Sequence, residues 1–280
     1  MLVLVTGANG MLGQDLCTIL EDNGYNIIKT DVDNFDITNY DANETLFLKE
    51  SPDLVIHCAA YTNVDGAENN FDEAYRINSK GTENIAKICA KTETTLVYIS
   101  TDYVFDGEKN SPYTPTDKPC PINNYGKTKY QGEIAVKKYC KNYYIIRTSW
   151  LYGTNGKNFV ETMLRLANEN KEIRVVNDQI GCPTWTIELA NGILNTIRNK
   201  PFGIYHISGK GETSWFEFAK EIFRLTDIKI EIKPCRTEDL ARSAPRPKYS
   251  VLESEKECKN WKLALKEYMA LKSRKEGIQK

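Results

Sequence analysis

One seven-residue stretch limits the folds open to this chain. Gly7-Ala8-Asn9-Gly10-Met11-Leu12-Gly13 follows the apolar run Leu2-Val3-Leu4-Val5, and Leu12, Leu16, Ile19 and Leu20 then repeat at helical spacing. The run closed by Thr6-Gly7 predicts a buried strand, and the repeat predicts a helix. Glycines in such a turn let the backbone approach a pyrophosphate, while the helix N-terminus offers unpaired N–H groups and the positive end of a dipole. An ordinary glycine-rich turn has the same pattern, so the next element decides. Tyr25-Asn26-Ile27-Ile28-Lys29-Thr30 predicts a second strand, ending at Asp31. A carboxylate about 20 residues past the glycines suits the ribose hydroxyls of NAD and repels the extra phosphate of NADP. Asp33 and Asp36 lie near enough to compete for that role.

The alternation continues. After a polar segment, Asp53 to Cys58 reads as a buried strand followed by Ala59-Ala60-Tyr61. Phe71 to Lys91 is helical in pattern, Leu96-Val97-Tyr98-Ile99 is a fourth strand closed by Ser100-Thr101-Asp102, and Tyr143 to Thr148 is a fifth. Pro112, Pro115, Pro119 and Pro121 make the segment from Asp106 to Asn124 a loop. A helix then runs from Tyr125 to about Tyr139. Alternating strands and helices give a parallel sheet covered on both faces, with ligands at the carboxyl ends of the strands. Gly7–Gly13, Asp31, Ala59–Tyr61 and Ser100–Thr101 all fall at those ends.

Past residue 150 the rhythm changes. Helices are expected over Phe159–Asn170, Thr186–Arg198 and Trp215–Leu225, the last with Ser214 as N-cap and Glu217 at the capping-box position. Short strands are expected over Ile173–Val176, Ile204–Ile207 and Ile228–Ile232, irregular structure at Arg242–Pro247, and an amphipathic helix over Trp261–Lys275, free to pack on its own domain or on a partner. The fold class is therefore α/β: a Rossmann-type doubly wound parallel sheet over residues 1–150, and a smaller mixed α/β C-terminal substrate-binding domain over 151–280, with crossovers between them.

Charge narrows the function. With 37 basic and 38 acidic residues, there is no electrostatic case for nucleic acid or a membrane surface. No apolar run reaches the roughly 18 residues of a membrane span, so a soluble, cytoplasmic protein is expected. Eight cysteines without a C-x-x-C pair read as reduced, packed thiols. His57 and His206 each sit in an apolar run and read as structural, so a Ser-His-Asp hydrolase or a histidine metal site is hard to build, and no metal ligands are assigned.

Tyr125 and Lys129, four residues apart, share one helix face. A phenol with a pKa of about 10 is a poor proton carrier at neutral pH unless a nearby ammonium lowers it. The spacing alone recurs by chance in many helices; the strand ends around it supply the context.

Gly7-x-x-Gly10-x-x-Gly13, Asn78-Ser79-Lys80-Gly81, Ser100-Thr101 and Tyr125-x-x-x-Lys129 together resemble the extended short-chain dehydrogenase/reductases, which act largely on nucleotide sugars. The likeness runs along nearly the whole chain. Cys58–Asp65, Ser100–Phe105, Arg147–Gly153, Gly181–Thr184 and Arg246–Ser250 bring it nearest to the reductases of that family. The resemblance implies reduction of the 4-keto group of dTDP-4-dehydro-L-rhamnose by NADH or NADPH. It implies Thr101, Tyr125 and Lys129 as catalytic residues: Tyr125 the proton donor, Lys129 tuning it and holding the nicotinamide ribose, Thr101 orienting the carbonyl. It places Gly7, Gly10, Met11, Leu12, Gly13, Asp31, Asp36, Ile37, Ala59, Ala60, Tyr61, Thr62, Asn78 and Ser100 around the cofactor, although pattern alone leaves Asn78 a surface polar residue. Val64, Thr101, Asp102, Tyr103, Tyr125 and Trp150 are implied at the sugar, where Trp150 could equally be a core aromatic. Some members hold Mg²⁺ at a dimer contact, and Asp15 and Glu188 are the matching acids. Their spacing shows no metal site, and two surface acids are the plainer reading; Mg²⁺ and a homodimer stay open.

Two rivals remain. Related dehydratases carry Asp-Glu after the threonine, whereas Tyr103 follows Asp102 here, which disfavours elimination. An epimerase shares Thr, Tyr and Lys and is set aside only by the closer match to reductases. A non-catalytic cofactor-binding subunit is the rival of another class, and intact Thr101, Tyr125 and Lys129 argue against it.

Overall fold

The structure, a computed structural model, describes residues 1–254 and 258–275. The glycine turn does join a strand to a helix: β1 (Leu2–Thr6) leads into α1 (Met11–Asp22). The chain continues through β2 (Asn26–Thr30), α2 (Tyr40–Glu50), β3 (Leu54–His57), α3 (Val64–Asn69), α4 (Phe71–Tyr75), a π-helical turn (Arg76–Gly81), α5 (Thr82–Lys91), β4 (Thr95–Thr101), α6 (Asn124–Tyr139) and β5 (Tyr143–Thr148). The remainder comprises β6 (Leu151–Tyr152), α7 (Phe159–Glu169), β7 (Glu172–Val176), β8 (Ile180–Gly181), β9 (Thr184–Trp185), α8 (Thr186–Asn199), β10 (Gly203–His206), β11 (Thr213–Ser214), α9 (Trp215–Thr226), β12 (Glu231–Cys235) and α10 (Trp261–Lys275).

Six strands form one parallel sheet in the order β2-β1-β3-β4-β5-β10. Because both faces are covered, β1, β3 and β4 are apolar throughout their middles rather than alternating. Leu16 and Leu20 of α1 with Leu189 and Ile193 of α8 cover one face. Phe47, Ile85, Ile88 and Val136 cover the other. The chain order reverses beside β1, which opens a crevice at the carboxyl ends of the strands.

The crossovers are concrete: α8 packs on α1, and β10 extends the first sheet, so residues 186–206 return to the N-terminal layer. The remaining C-terminal elements build a separate core from Phe218, Ile222, Trp261, Leu265 and Tyr268, among others. α10 thus packs within this second core. Positions 255–257 and 276–280 of the expected second part lie outside the described residues.

Three details depart from expectation. The polar segment before β3 contains α2, capped by the Asn39 side chain, which accepts the Ala42 N–H. The helix expected over Phe71–Lys91 is interrupted by the π turn. β12 starts at Glu231 rather than Ile228, because Asp227 takes a left-handed conformation (φ +55°) after α9 and pairing with β7 begins at Glu231↔Glu172.

Both histidines are enclosed. His57 lies between the hydroxyls of Thr6 (2.7 Å) and Thr82 (3.1 Å), and His206 Nδ1 donates to the Tyr113 carbonyl at 2.9 Å. Burial pulls both pKa values down to about 3. All eight cysteines are free thiols, with Cys120 alone exposed. No described helix is long and apolar enough to cross a membrane.

Candidate active site

The strand ends open into a cleft of about 1090 Å³. Its dinucleotide end is built from the glycine turn. Gly7 has φ +67°, and a Cβ there would lie 2.8 Å from Ala59 N; one at Gly13 would lie 2.2 Å from the Gly7 carbonyl oxygen. Only glycine lets the turn, the first helix and the β3 end pack this closely. Gly10, Met11 and Leu12 complete that wall. Asp31 Oδ2 accepts the Asn9 N–H at 2.9 Å and Oδ1 accepts the Val32 N–H at 2.8 Å, so this carboxylate also fixes the turn. Asp36 and Ile37 lie on the same wall; the Thr38 N–H and hydroxyl hold the Asp36 carboxyl below its ordinary range.

Ala59, Ala60, Tyr61 and Thr62 form the next section of the wall. Asn78 is neither a surface residue nor part of that wall. It is buried in the π turn, where its Oδ1 accepts the Tyr61 N–H (2.8 Å) and its Nδ2 donates to the Tyr61 carbonyl (3.0 Å) and the Thr128 hydroxyl (3.1 Å). It ties the cofactor-side loop to α6.

Tyr125 and Lys129 project from the first turns of α6, whose N-terminus is capped by the Asn123 side chain accepting the Gly126 N–H at 2.7 Å. Both line the cleft with Ser100, Thr101 and Asp102. Burial pushes the Tyr125 phenol up to about 12, opposed by the Thr101 hydroxyl. Burial pulls Lys129 down to about 7, opposed by the Glu133 carboxylate. The Lys129 ammonium lies 4.2 Å over the Tyr98 ring, a cation–π seat. Desolvation dominates at Tyr125, so its shift is upward rather than the lowering that the Tyr125–Lys129 spacing predicts. The Thr101 hydroxyl donates to Asp102 Oδ1 at 3.0 Å and accepts the Tyr103 N–H at 3.2 Å. Asp102 Oδ2 is buried with no partner within hydrogen-bonding distance among the described residues, and burial raises this carboxyl to about 7, opposed by the nearby Ser250 and Thr101 hydroxyls.

Trp150 also lines the cleft and lies parallel to Trp215, with ring centroids 3.5 Å apart. Val64 and Tyr103 are not on the wall: Val64 opens α3, and Tyr103 meets the Tyr125 ring edge-on at 6.0 Å.

Sequence reasoning passed over several residues here. Glu133 and Arg147 form a fully buried ion pair (2.7 Å), and Glu133 also accepts the Ser100 hydroxyl at 2.7 Å. Glu133 lies one further helical turn beyond Lys129, so the Tyr125–Lys129 spacing extended by four would have found it. Thr148, in register with Thr101, is on the cleft wall with its hydroxyl unpartnered among the described residues.

The glycine cradle and the unpartnered Asp102 and Thr148 oxygens fit a bound nicotinamide dinucleotide and a hydroxylated substrate. The acids matched to Mg²⁺ are each engaged within the chain. Asp15 accepts from the Thr186 hydroxyl and from Asn155 Nδ2 (3.2 Å), and Glu188 pairs with Lys259 at 3.1 Å. Among the described residues, no group of three or more His, Cys, Asp or Glu could hold a metal ion.

Comparison with known proteins places the chain in a family. Residues 1–273 match the family model described as RmlD substrate binding domain. The chain is 41% identical over 277 residues to the spore coat polysaccharide biosynthesis protein SpsK of Bacillus subtilis, covering 97% of this chain and 98% of that one. It superposes with a TM-score of 0.95 on the crystal structure of a dTDP-4-dehydrorhamnose reductase from Clostridium acetobutylicum, at 45% identity, covering 98% of this chain and 100% of that one. The dTDP-4-dehydrorhamnose reductase of Bacillus anthracis in complex with NADP gives a TM-score of 0.94 at 42% identity, covering 96% and 99%.

Proposed function

This chain belongs to the RmlD substrate binding domain family, and on that footing we propose that it reduces the 4-keto group of dTDP-4-dehydro-L-rhamnose to give dTDP-L-rhamnose, the last step in making that nucleotide sugar. The observation that carries the reading is a single cleft that joins a glycine cradle to Thr101, Tyr125 and Lys129. Bound NADH would supply the hydride. The chain's part is to hold the sugar and to deliver a proton. Tyr125, held protonated at neutral pH with a pKa near 12, donates to the developing alkoxide. In its charged form, Lys129 stabilises the phenolate that remains. Thr101 orients the carbonyl oxygen once its hydroxyl turns from Asp102, and the Asp102 carboxyl meets sugar hydroxyls with its unpartnered oxygen. Asp31 disfavours a 2′-phosphate, so NADH is the preferred donor. No glutamate adjoins Asp102 to assist an elimination.

The test is purified protein with NADH and a panel of 4-keto sugar nucleotides, followed by NADH absorbance. Oxidation is expected with dTDP-4-dehydro-L-rhamnose and to be slower with NADPH. Intact NADH binding without turnover at high enzyme concentration would make the chain a cofactor-binding subunit. Equal rates across the panel would remove the substrate assignment.

A further inference from the structure

The backbone of Trp150 is left-handed, with φ +46°. A bulky residue holds that conformation only where its surroundings over-determine it. The Trp150 carbonyl accepts the Thr184 N–H at 3.2 Å, and the neighbouring Ser149 hydroxyl donates to the Cys182 carbonyl at 2.7 Å. The indole is confined as well. It lies 6° from parallel to Trp215 at a centroid distance of 3.5 Å, nearly face to face. Ring quadrupoles favour offset or edge-on pairs, so packing imposes this stack. On Gly181, a Cβ would fall 2.4 Å from Trp150 Cε2 and 2.6 Å from Nε1, so the Gly181 backbone also lies against the indole.

Trp215 is fixed in turn. Its Nε1 donates to Gln179 Oε1 at 3.2 Å, Gln179 Nε2 donates to the Thr237 hydroxyl at 2.9 Å, and the Phe159 ring lies 4.4 Å away. Trp150 forms part of the cleft wall; Trp215 does not.

We propose that Trp215 is a specificity-determining positioning residue, which with Gln179 pins Trp150 as a rigid wall of the sugar pocket. This rests on the 4-keto sugar nucleotide reading above. A wall that cannot yield selects substrates by shape, because a misfitting sugar cannot push the indole aside. Without the pin, Trp150 relaxes, the correct sugar loses its fit and the wrong ones gain room.

The test compares wild type with Trp215→Leu, which removes the stacked ring, and with Gln179→Leu, which keeps the ring and frees its N–H. Indoles held rigidly in asymmetric packing give a near-ultraviolet circular dichroism band that is lost when they become mobile. Trp215→Leu is expected to weaken that band. It should raise KM for the sugar nucleotide about ten-fold with kcat and the NADH Kd within about two-fold, and narrow the kcat/KM ratio between that sugar and other 4-keto sugar nucleotides about ten-fold. Gln179→Leu should show the same pattern in weaker form, and it decides the matter if Trp215→Leu does not fold. Weakening of the near-ultraviolet band with KM and the ratio unchanged overturns the proposal, as does an equal fall of kcat for every sugar. A wild type active on the panel while both variants match it defeats the pin alone; a wild type inactive on the whole panel defeats the functional reading and the pin with it.

Discussion

Tyr125 and Lys129 are shifted in opposite directions by one cause. Low-dielectric surroundings penalise whichever form is charged, so the phenol rises to about 12 and the ammonium falls to about 7. The phenol is thereby kept as a proton donor, and replacing it with phenylalanine removes the donor while leaving the ring. We expect Tyr125→Phe to lower kcat by about 10²–10⁴-fold with NADH affinity nearly unchanged; near-normal turnover would dismiss Tyr125 as the acid. Lys129 loses its proton as pH rises through about 7, so kcat/KM, which reports the free enzyme, should decline above that pH. Asp102 also titrates near 7 and gains charge over the same range. The Asp102→Asn variant separates the two: the alkaline decline persists if Lys129 causes it and vanishes if Asp102 does.

Among the elements, the π turn matters most for the site. Its extra residue carries Asn78 inward beneath Tyr61, where one amide satisfies both backbone groups of that residue. Asn78→Ala leaves both unpaired, at about 1–3 kcal/mol each. It should weaken NADH binding measured by titration calorimetry more than it slows turnover at saturating NADH; an unchanged affinity would show that the Tyr61 loop needs no such tether. This contact was not legible in the chain, because one inserted residue shifts the apolar register within a single short turn and the amide's partners are mostly backbone atoms. The strand ends were legible, since a fully buried strand leaves an unbroken apolar run. α2 was not: Phe47 is its one fully buried apolar residue, and its start is set by the Asn39 cap rather than by periodicity. β12 was displaced because Ile228 and Ile230 continue the alternation of Ile232 ahead of the pairing with β7 that fixes the strand. At the site, Gly7–Gly13, Asp31, Thr101, Tyr125, Lys129 and Trp150 do line the cleft, whereas Trp215 and Arg147 reach it through partners far away in sequence.

Across the whole molecule, polar contacts join the two parts. Arg246 grips Asp65 of α3 through two hydrogen bonds (3.0 and 2.7 Å), binding the C-terminal irregular segment to α3. Arg147 on β5 holds Glu133 of α6 and touches His206 on β10, at 3.4 Å. His206 and His57 are thus built into the layers as neutral rings. The unfolded chain protonates both below about pH 6.5 while the folded chain does not until about 3, so their stabilisation is complete above 6.5 and is lost progressively as pH falls. Asp102 works the other way: its folded pKa of about 7 exceeds the unfolded value, so acidification over the same range stabilises the fold. At roughly 1.4 kcal/mol per group per pH unit, two histidines against one carboxyl leave a net loss of about 3 kcal/mol between pH 6.5 and 4.5. Urea unfolding at the two pH values measures this directly. In Asp102→Asn the offset is gone, and the loss should grow to about 6 kcal/mol over the same interval. A wild-type stability that stays level down to pH 4.5 would mean that the buried histidines take up protons without unfolding the chain.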